Sequence, residues 1–445
     1  MMIIDASIKI TPEVVSKYIK EHQKLKGRLQ KLDSYYSGSH VITRREKSSN
    51  LSNNRVVINH AQYISDLASG YLAGNAVSYS SDNDIASLLE VLSICDSSTQ
   101  DCDLALDCSV YGRAFELVYM SSDAEPVPKL CKLDPCYAFV VYDDTVEHKE
   151  VFGVSYRPKY DSNRKVKGYA VSVFTKEKVM EYDTGTEFQK IGEELTKPNA
   201  FGEVQLNEFW NDQRCSSDFE GVISLIDAYN LLQSDRVNDK EQFVDAILVL
   251  VNTVLGDSEG EKSEAMRALK KNRLLEIPDG GSAAYLTRQF NETDVEILRT
   301  ALKEDIHKIS KVPDMSDENF AGNVSGVAMK FKLLPFELRT KTKERFFREG
   351  LKRRLKLLSS IIGIKGGAKI NTDSITITFS RSLPTNDTEL ASMVATLSGI
   401  VSKETLLAQL PFVDDASQEA EKVDEEKQSN VLNAQKMFDS SSFEG

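Results

Sequence analysis

The residues with the clearest chemical potential lie between Pro313 and Arg348, PDMSDENFAGNVSGVAMKFKLLPFELRTKTKERFFR, where an acidic, glycine-punctuated stretch runs straight into a cationic one. Asp314, Asp317 and Glu318 supply negative charge, Asn319, Ala321, Gly322 and Asn323 favour turns and caps, and Phe320 is an apolar tip among them. Asn323 or Ser325 can cap the helix that follows. From Lys330 to Lys356 there are eleven Lys or Arg against three Glu (Glu337, Glu344, Glu349), in a chain whose formal net charge is -13. Positive charge gathered on one element of an acidic protein points to a polyanion or to an acidic face of a partner subunit.

Other chemistry is sparsely provided. Gly256-Asp257-Ser258-Glu259-Gly260-Glu261-Lys262 has the wrong glycine spacing for a phosphate-cradling loop, and neither GxSxG nor HExxH occurs. The five histidines (His22, His40, His60, His148, His307) are scattered, which leaves little for general acid-base work. Asp143-Asp144 could form half of a metal site, but adjacent strand residues face opposite ways, so a turn is the favoured reading. The six cysteines contain no CxxC pair and read as reduced, mostly buried thiols. No cofactor or metal is expected, and a non-enzymatic role is the better reading.

The elements that must position the loop are legible from periodicity. Apolar residues recur at helical spacing through Phe331, Leu334, Leu338, Phe347, Leu351, Leu355 and Leu358, with Pro335 predicted to kink that helix near Phe331. Upstream, Thr293 to Lys311 reads as a helix. Val222 to Leu255 contains neither Gly nor Pro and reads as one long helix of roughly 50 Å. Between them lie a polar insert, Gly256 to Asn272, and two predicted strands, Leu274–Ile277 and Ala283–Leu286, joined by Pro278-Asp279-Gly280-Gly281. The N-terminal part is α-rich, with helices predicted over Thr11–Leu32, Val57–Leu72, Asp84–Leu92 and Asp101–Tyr111. Short β-rich runs follow from Phe115 to Tyr182, joined by connections too short for crossover helices, and predict one antiparallel sheet. A last strand, Ile375–Phe379, is expected to return to that sheet. Two short helices, Thr388–Ile400 and Ser402–Ala408, precede an acidic tail, with twelve Asp or Glu against four Lys from Asp387 onward.

With 445 residues, 41% apolar and 28% charged, the composition is that of an ordinary folded protein of two or three parts. The N-terminus has no cationic region ahead of a long apolar core, and the longest apolar run, Ala246 to Val251, is far short of the roughly 20 residues that cross a bilayer. A cytoplasm-like compartment and no membrane partner are the expectations. The acidic balance argues against coating nucleic acid by net attraction, though not against letting DNA slide past.

Several ordered segments resemble the portal (head-to-tail connector) proteins of tailed double-stranded DNA phages, of the siphophage type found in Gram-positive hosts. They are Leu29 to His40, Asn53-Asn54-Arg55 to Tyr79 with Tyr71-Leu72-Ala73-Gly74-Asn75, Ser217-Asp218-Phe219-Glu220 to Leu250, and Met315 to Leu334. Ala76 and Gln205 depart from prolines expected there. The resemblance implies an elongated α+β fold in a ring of twelve subunits: a wing (1–221), a stem helix (222–255), a clip (256–291) and a second stem helix (292–313). A tunnel loop (314–323), a kinked wing helix with return strand (324–386) and a crown with acidic tail (387–445) complete it. It implies that Asp314, Asp317, Glu318, Asn319, Phe320, Ala321, Gly322 and Asn323 line a DNA channel. Arg236, Lys240, Lys303, Lys308 and Lys311 become candidates for transient phosphate contact, and Glu276, Asp279, Gly280 and Tyr285 for docking. The implied partners are terminase, a head-completion connector protein, scaffolding and major capsid proteins, with assembly in the host cytoplasm and residence in the virion. The basic helix is read as a contact with neighbouring subunits rather than with DNA. The alternatives are another self-assembling virion or scaffold protein built on the long helices, or a metal-dependent nuclease using Asp143 or Asp144.

Overall fold

A computed structural model describes residues 1–48, 52–122, 125–244, 247–252, 258–272, 279–286, 292–316, 326–364, 370–381, 387–410, 413 and 416–427. In chain order the elements are β1 (Met2–Ile4), α1 (Pro12–Tyr36), α2 (His60–Ala73), β2 (Ser78–Ser80), α3 (Ala86–Ile94), α4 (Ser97–Tyr111), β3 (Arg113–Met120), β4 (Pro128–Leu133), β5 (Ala138–Asp143), β6 (Glu150–Tyr160), β7 (Val166–Thr175), β8 (Lys178–Thr184), β9 (Lys190–Pro198) and β10 (Leu206–Trp210). They continue as α5 (Ile223–Val244), β11 (Ile247–Val251), α6 (Glu259–Asn272), β12 (Ser282–Leu286), α7 (Glu292–Ser310), α8 (Gly326–Ile364), β13 (Thr376–Thr378), α9 (Asp387–Leu397) and α10 (Lys403–Leu407), with a further helical stretch at 416–427. The chain divides into two compact units, one of Met1–Ser37, Ala61–Gly221 and His307–Gly445, the other of Gly38–His60 and Val222–Ile306.

The first unit stacks its apolar faces in layers. Strands β1-β5-β6-β7-β8-β9 form a six-stranded sheet, antiparallel except for β1, which runs parallel to β5 with Met2 opposite Val141. Along β5, Phe139 and Val141 point to a core shared with Val15 and Ile19 of α1, whereas Ala138, Val140 and Tyr142 point to the other face. That second face meets Phe115 and Leu206 of a separate three-stranded sheet, β10-β3-β4. The period-2 alternation repeats in β3: Phe115 faces the large sheet, while Ala114 and Val118 face Phe347, Leu351 and Leu355 of α8. The sequence runs expected to make one sheet therefore make two. Both faces of β5 are apolar, and β3 carries a charge on its buried faces only at Glu116, which is ion-paired to Arg354, so each sheet can be buried on both sides.

Two corrections concern α8 and its neighbours. Strand β13 does not return to the large sheet; it pairs with β2, Ile377 opposite Tyr79. In the first half of α8 the buried face is Leu333, Phe336, Thr340, Lys343 and Phe347, and the predicted stripe Phe331, Leu334 and Leu338 is exposed. Helical spacing located an apolar line correctly but could not say which of two lines faced the interior. The helix runs on through Pro335. At Gly350 it approaches β10 so closely that a Cβ would lie 2.4 Å from the Phe209 ring, and Asn207 Nδ2 donates to the Gly350 carbonyl at 2.9 Å.

The second unit differs most from expectation. The long helix read over Val222–Leu255 ends at Val244, and Ile247–Val251 is instead a strand, antiparallel to β12 with Ile247 opposite Leu286. An uninterrupted run of Ile, Leu and Val satisfies either state, and its β-branched residues favour the strand once a partner is present. The predicted strand Leu274–Ile277 lies outside the described residues. The polar insert begins α6 with a capping box: Glu261 N donates to Ser258 Oγ, and Ser258 N to Glu261 Oε2, both at 3.3 Å.

Candidate functional site

The acidic loop starts from a rigid base. At the end of α7, Lys311 turns through a left-handed conformation (φ 62°) and Val312 is buried. The Tyr63 hydroxyl on α2 then pins the next residues, donating to the Pro313 carbonyl at 3.2 Å and accepting from Met315 N at 2.7 Å. The Tyr63 ring sits edge-on to His307, centroids 5.6 Å apart, and His307 Nδ1 is 2.9 Å from the Val312 carbonyl. Asp314 closes a local turn by accepting from Ser316 N at 3.1 Å and Ser316 Oγ at 2.6 Å. Its carboxylate is thus used for local shape as well as charge. Asp317, Glu318, Asn319, Phe320, Ala321, Gly322 and Asn323 lie outside the described residues.

Beyond the loop, most of the cations of α8 find acids within the first unit. Arg354 is fully buried; its Nε and Nη2 grip both oxygens of Glu116 at 2.9 and 2.8 Å, and Nη1 meets Asp101 at 2.6 Å. Lys343, also buried, reaches Asp218 at 2.5 Å, and Arg339 bridges Asp218 and Asp212 at 3.2 and 3.0 Å. Burial alone would raise Asp218, but Lys343 and Arg339 hold its carboxyl below the usual carboxylate range, helped by the Ser109 hydroxyl at 2.7 Å. Arg353 pairs with Glu150, Lys356 with Glu203, and Arg348 with Glu344. The glutamates of α8 are occupied in turn. Arg381, just past β13, holds Glu337 at 2.8 Å and Glu344 at 2.5 Å, while the Tyr71 hydroxyl donates to Glu337 at 2.8 Å and its ring stacks on Phe336. The charge excess seen in sequence is therefore largely balanced by acids brought from α4, β3, β6 and the 212–218 turn. Spacing in the sequence could not reveal those partners, because they lie 100 to 250 positions away.

In the second unit, α5 carries a buried polar ladder that apolar periodicity overlooks. Asn230, Ser234 and Asn238 repeat every four residues, hence along one face of the helix. They take the backbone N–H groups of Ile58 (2.9 Å), Val56 (3.0 Å) and Asn54 (2.7 Å), strapping an extended segment along the helix. The i, i+4, i+8 repeat of Asn and Ser was the available signal. Asp235 pairs with Arg45 and Lys47 beside the strap. The predicted phosphate contacts fall unevenly. Arg236 faces Glu296 at 3.0 Å and Glu292 at 3.5 Å, and Lys240 faces Glu292 at 2.7 Å, so their charge is matched. Lys308 and Lys311 are exposed and Lys303 is partly covered. Of the predicted docking residues, Asp279 and Gly280 (φ 87°) form the turn before β12, Tyr285 stands on β12 opposite Leu248, and Glu276 lies outside the described residues.

The alternative metal site finds no support in local geometry. Asp143 Oδ1 accepts from Thr145 N, Thr145 Oγ1 and Lys149 N, at 2.7 to 3.2 Å, and so closes the β5–β6 turn. Among the described residues no group of three or more His, Cys, Asp or Glu is placed to hold a metal ion. No helix among them is long and apolar enough to cross a membrane.

Comparison with known proteins agrees with the resemblance seen in the sequence. Residues 15–431 match the family described as phage portal protein, SPP1 Gp6-like. The chain is 29% identical over 236 residues to the portal protein of Clostridium phage phiCD119, covering 52% of this chain and 50% of that protein. It is 24% identical over 392 residues to the portal protein of Bacillus phage SPP1, covering 84% of this chain and 76% of the relative. The matched region thus spans half the length of the Clostridium phage relative and about three quarters of the Bacillus phage one.

Proposed function

The chain belongs to the phage portal protein family, SPP1 Gp6-like, and from that premise we propose that it assembles as a ring of twelve subunits at one capsid vertex. The ring is the channel through which double-stranded DNA enters during packaging and leaves at ejection. Its outer end docks the terminase and later a head-completion connector, through the region that includes Asp279, Gly280 and Tyr285. The protein works as a conduit rather than a catalyst, is assembled in the host cytoplasm with scaffolding and major capsid proteins, and stays in the virion. Membership of the family over nearly the whole chain carries this reading.

Local geometry supports a division of labour between loop and arm. The loop, residues 314–323, follows a base held by Tyr63, and its acids suit a surface past which phosphates slide without being gripped. The arm α8 is fastened by buried ion pairs, so it can carry load without being a DNA-binding surface. The test is an electron micrograph of the purified protein together with a packaging assay. Axial rings with a central hole, and a deletion of Asp317–Gly322 that still forms rings but packages or retains less DNA, are expected. Wild-type protein without rings would refute the ring; a deletion that packages normally would refute the loop's role.

A further inference from the structure

The first third of α8 is apolar on two opposite sides. At 100° per residue, Phe331, Leu334, Leu338 and Arg345 fall within about 60° of arc, and the buried line Leu333, Phe336, Thr340, Lys343 and Phe347 lies opposite. The outer line is open to solvent, with Phe331 71%, Leu338 57% and Leu334 45% exposed. A phenylalanine left 71% exposed beside two leucines on one helical face is a contact surface without its partner. Its charge is positive: Arg345 on the line and Lys330 at its flank are exposed and make no ion pair among the described residues.

A complementary face exists elsewhere in the chain. On α7, Ile297 is 64% and Leu298 50% exposed. One to two turns further along the same side of the helix, Glu304 and Asp305 are exposed and without an ion pair among the described residues. One face is apolar with cations, the other apolar with anions. Two different surfaces that fit each other, both on one chain, are what a heterologous, ring-closing contact requires.

We propose that the exposed line of α8 is seated on the Ile297–Asp305 face of α7 in a second copy of this chain, with Arg345, seven residues beyond Leu338, opposite Glu304, seven beyond Ile297. This rests on the ring reading above and names the surfaces that make one of its subunit contacts. It also gives Phe331, Leu334 and Leu338 a reason to be apolar, since they contribute nothing to their own subunit's core.

The test measures assembly of the full chain by mass photometry and negative stain at fixed concentration and salt. Phe331→Asp with Leu338→Asp should lower the ring fraction at least tenfold, with circular dichroism and Trp210 fluorescence unchanged. Both positions are exposed, so the fold has no stake in them. Independently, Arg345→Glu and Glu304→Lys should each weaken the ring, making it disperse at lower salt, and the pair together should restore it. If wild-type protein forms no ring, the ring reading itself falls. If wild-type rings form but the Asp variants assemble as well as wild type, or the reversed pair is no better than its single members, this contact is wrong and the ring reading stands.

Discussion

Replacing Arg354 with methionine is the sharpest test of how α8 is held. The change keeps much of the side-chain volume and removes the one cation between Glu116 and Asp101, both almost fully buried. In the native protein three charge-assisted hydrogen bonds of 2.6 to 2.9 Å repay much of the cost of taking these groups out of water. Without the guanidinium, two carboxyls must either stay charged in an apolar interior or take up protons. At pH 7 protonation costs about 4 kcal/mol for each, at about 1.4 kcal/mol per pH unit from an ordinary carboxylate pKa near 4. That sets an upper bound of about 8 kcal/mol, and relaxation brings the expected loss to about 3–5 kcal/mol. Against a total stability of about 5–15 kcal/mol this is a severe defect. The measurement is urea unfolding followed by fluorescence of the single tryptophan, Trp210, which lies on β10 next to Phe209, the ring beneath the guanidinium. Protein concentration must be fixed, because assembly adds to apparent stability. The sign with pH is distinctive. The folded variant holds protons that its unfolded form releases, so its deficit against wild type should shrink as pH falls from 7 towards 5. The neutral triple variant Arg354→Met, Glu116→Gln, Asp101→Asn should recover most of the loss. A single variant within 0.5 kcal/mol of wild type, or a triple variant no better than the single, would refute the reasoning.

Other outcomes follow from the same geometry. His22, buried against Phe139 with Nδ1 2.7 Å from the Tyr156 hydroxyl, has its pKa pushed down to about 4 by burial from an ordinary 6.5. Its unfolded form therefore takes up a proton that the fold refuses. Stability should fall by about 3 kcal/mol as pH drops from 6.5 to 4, and His22→Gln should flatten that slope in urea titrations. Gly350→Ala drives a methyl into the Phe209 ring and should cost about 1–3 kcal/mol; an unchanged urea midpoint would mean that α8 does not sit so close to β10. Tyr63→Phe strips the hydroxyl from Pro313 and Met315, so amide exchange at Met315 should quicken about tenfold while global stability moves little. Ser234→Ala removes the middle rung of the strap on α5; faster exchange at Val56 with the helix intact is the expected result, and no change there would dissociate the strap from α5.

The sequence by itself determined the class of the protein and most of its helices. Helices α1, α2, α4, α7 and α8 were readable because caps, prolines and 3.6-residue periodicity are local signals. The portal resemblance rested on long ordered segments, and it held along nearly the whole chain. Tertiary structure alone decided everything that depends on distant partners. It ended α5 at Val244, because only β12, some 35 positions on, could turn Ile247–Val251 into a strand. It split the β-rich region into two stacked sheets and sent β13 to β2. Above all it chose which side of α8 faces inward. Leu333 and Phe336 were buried and Phe331, Leu334 and Leu338 were left outside, although both lines are apolar at helical spacing. It also drew Asp101, Glu116 and Asp218 onto cations that the sequence shows only as a run of positive charge. A helix's period is fixed by its own residues, whereas its orientation about its axis is fixed by what it packs against.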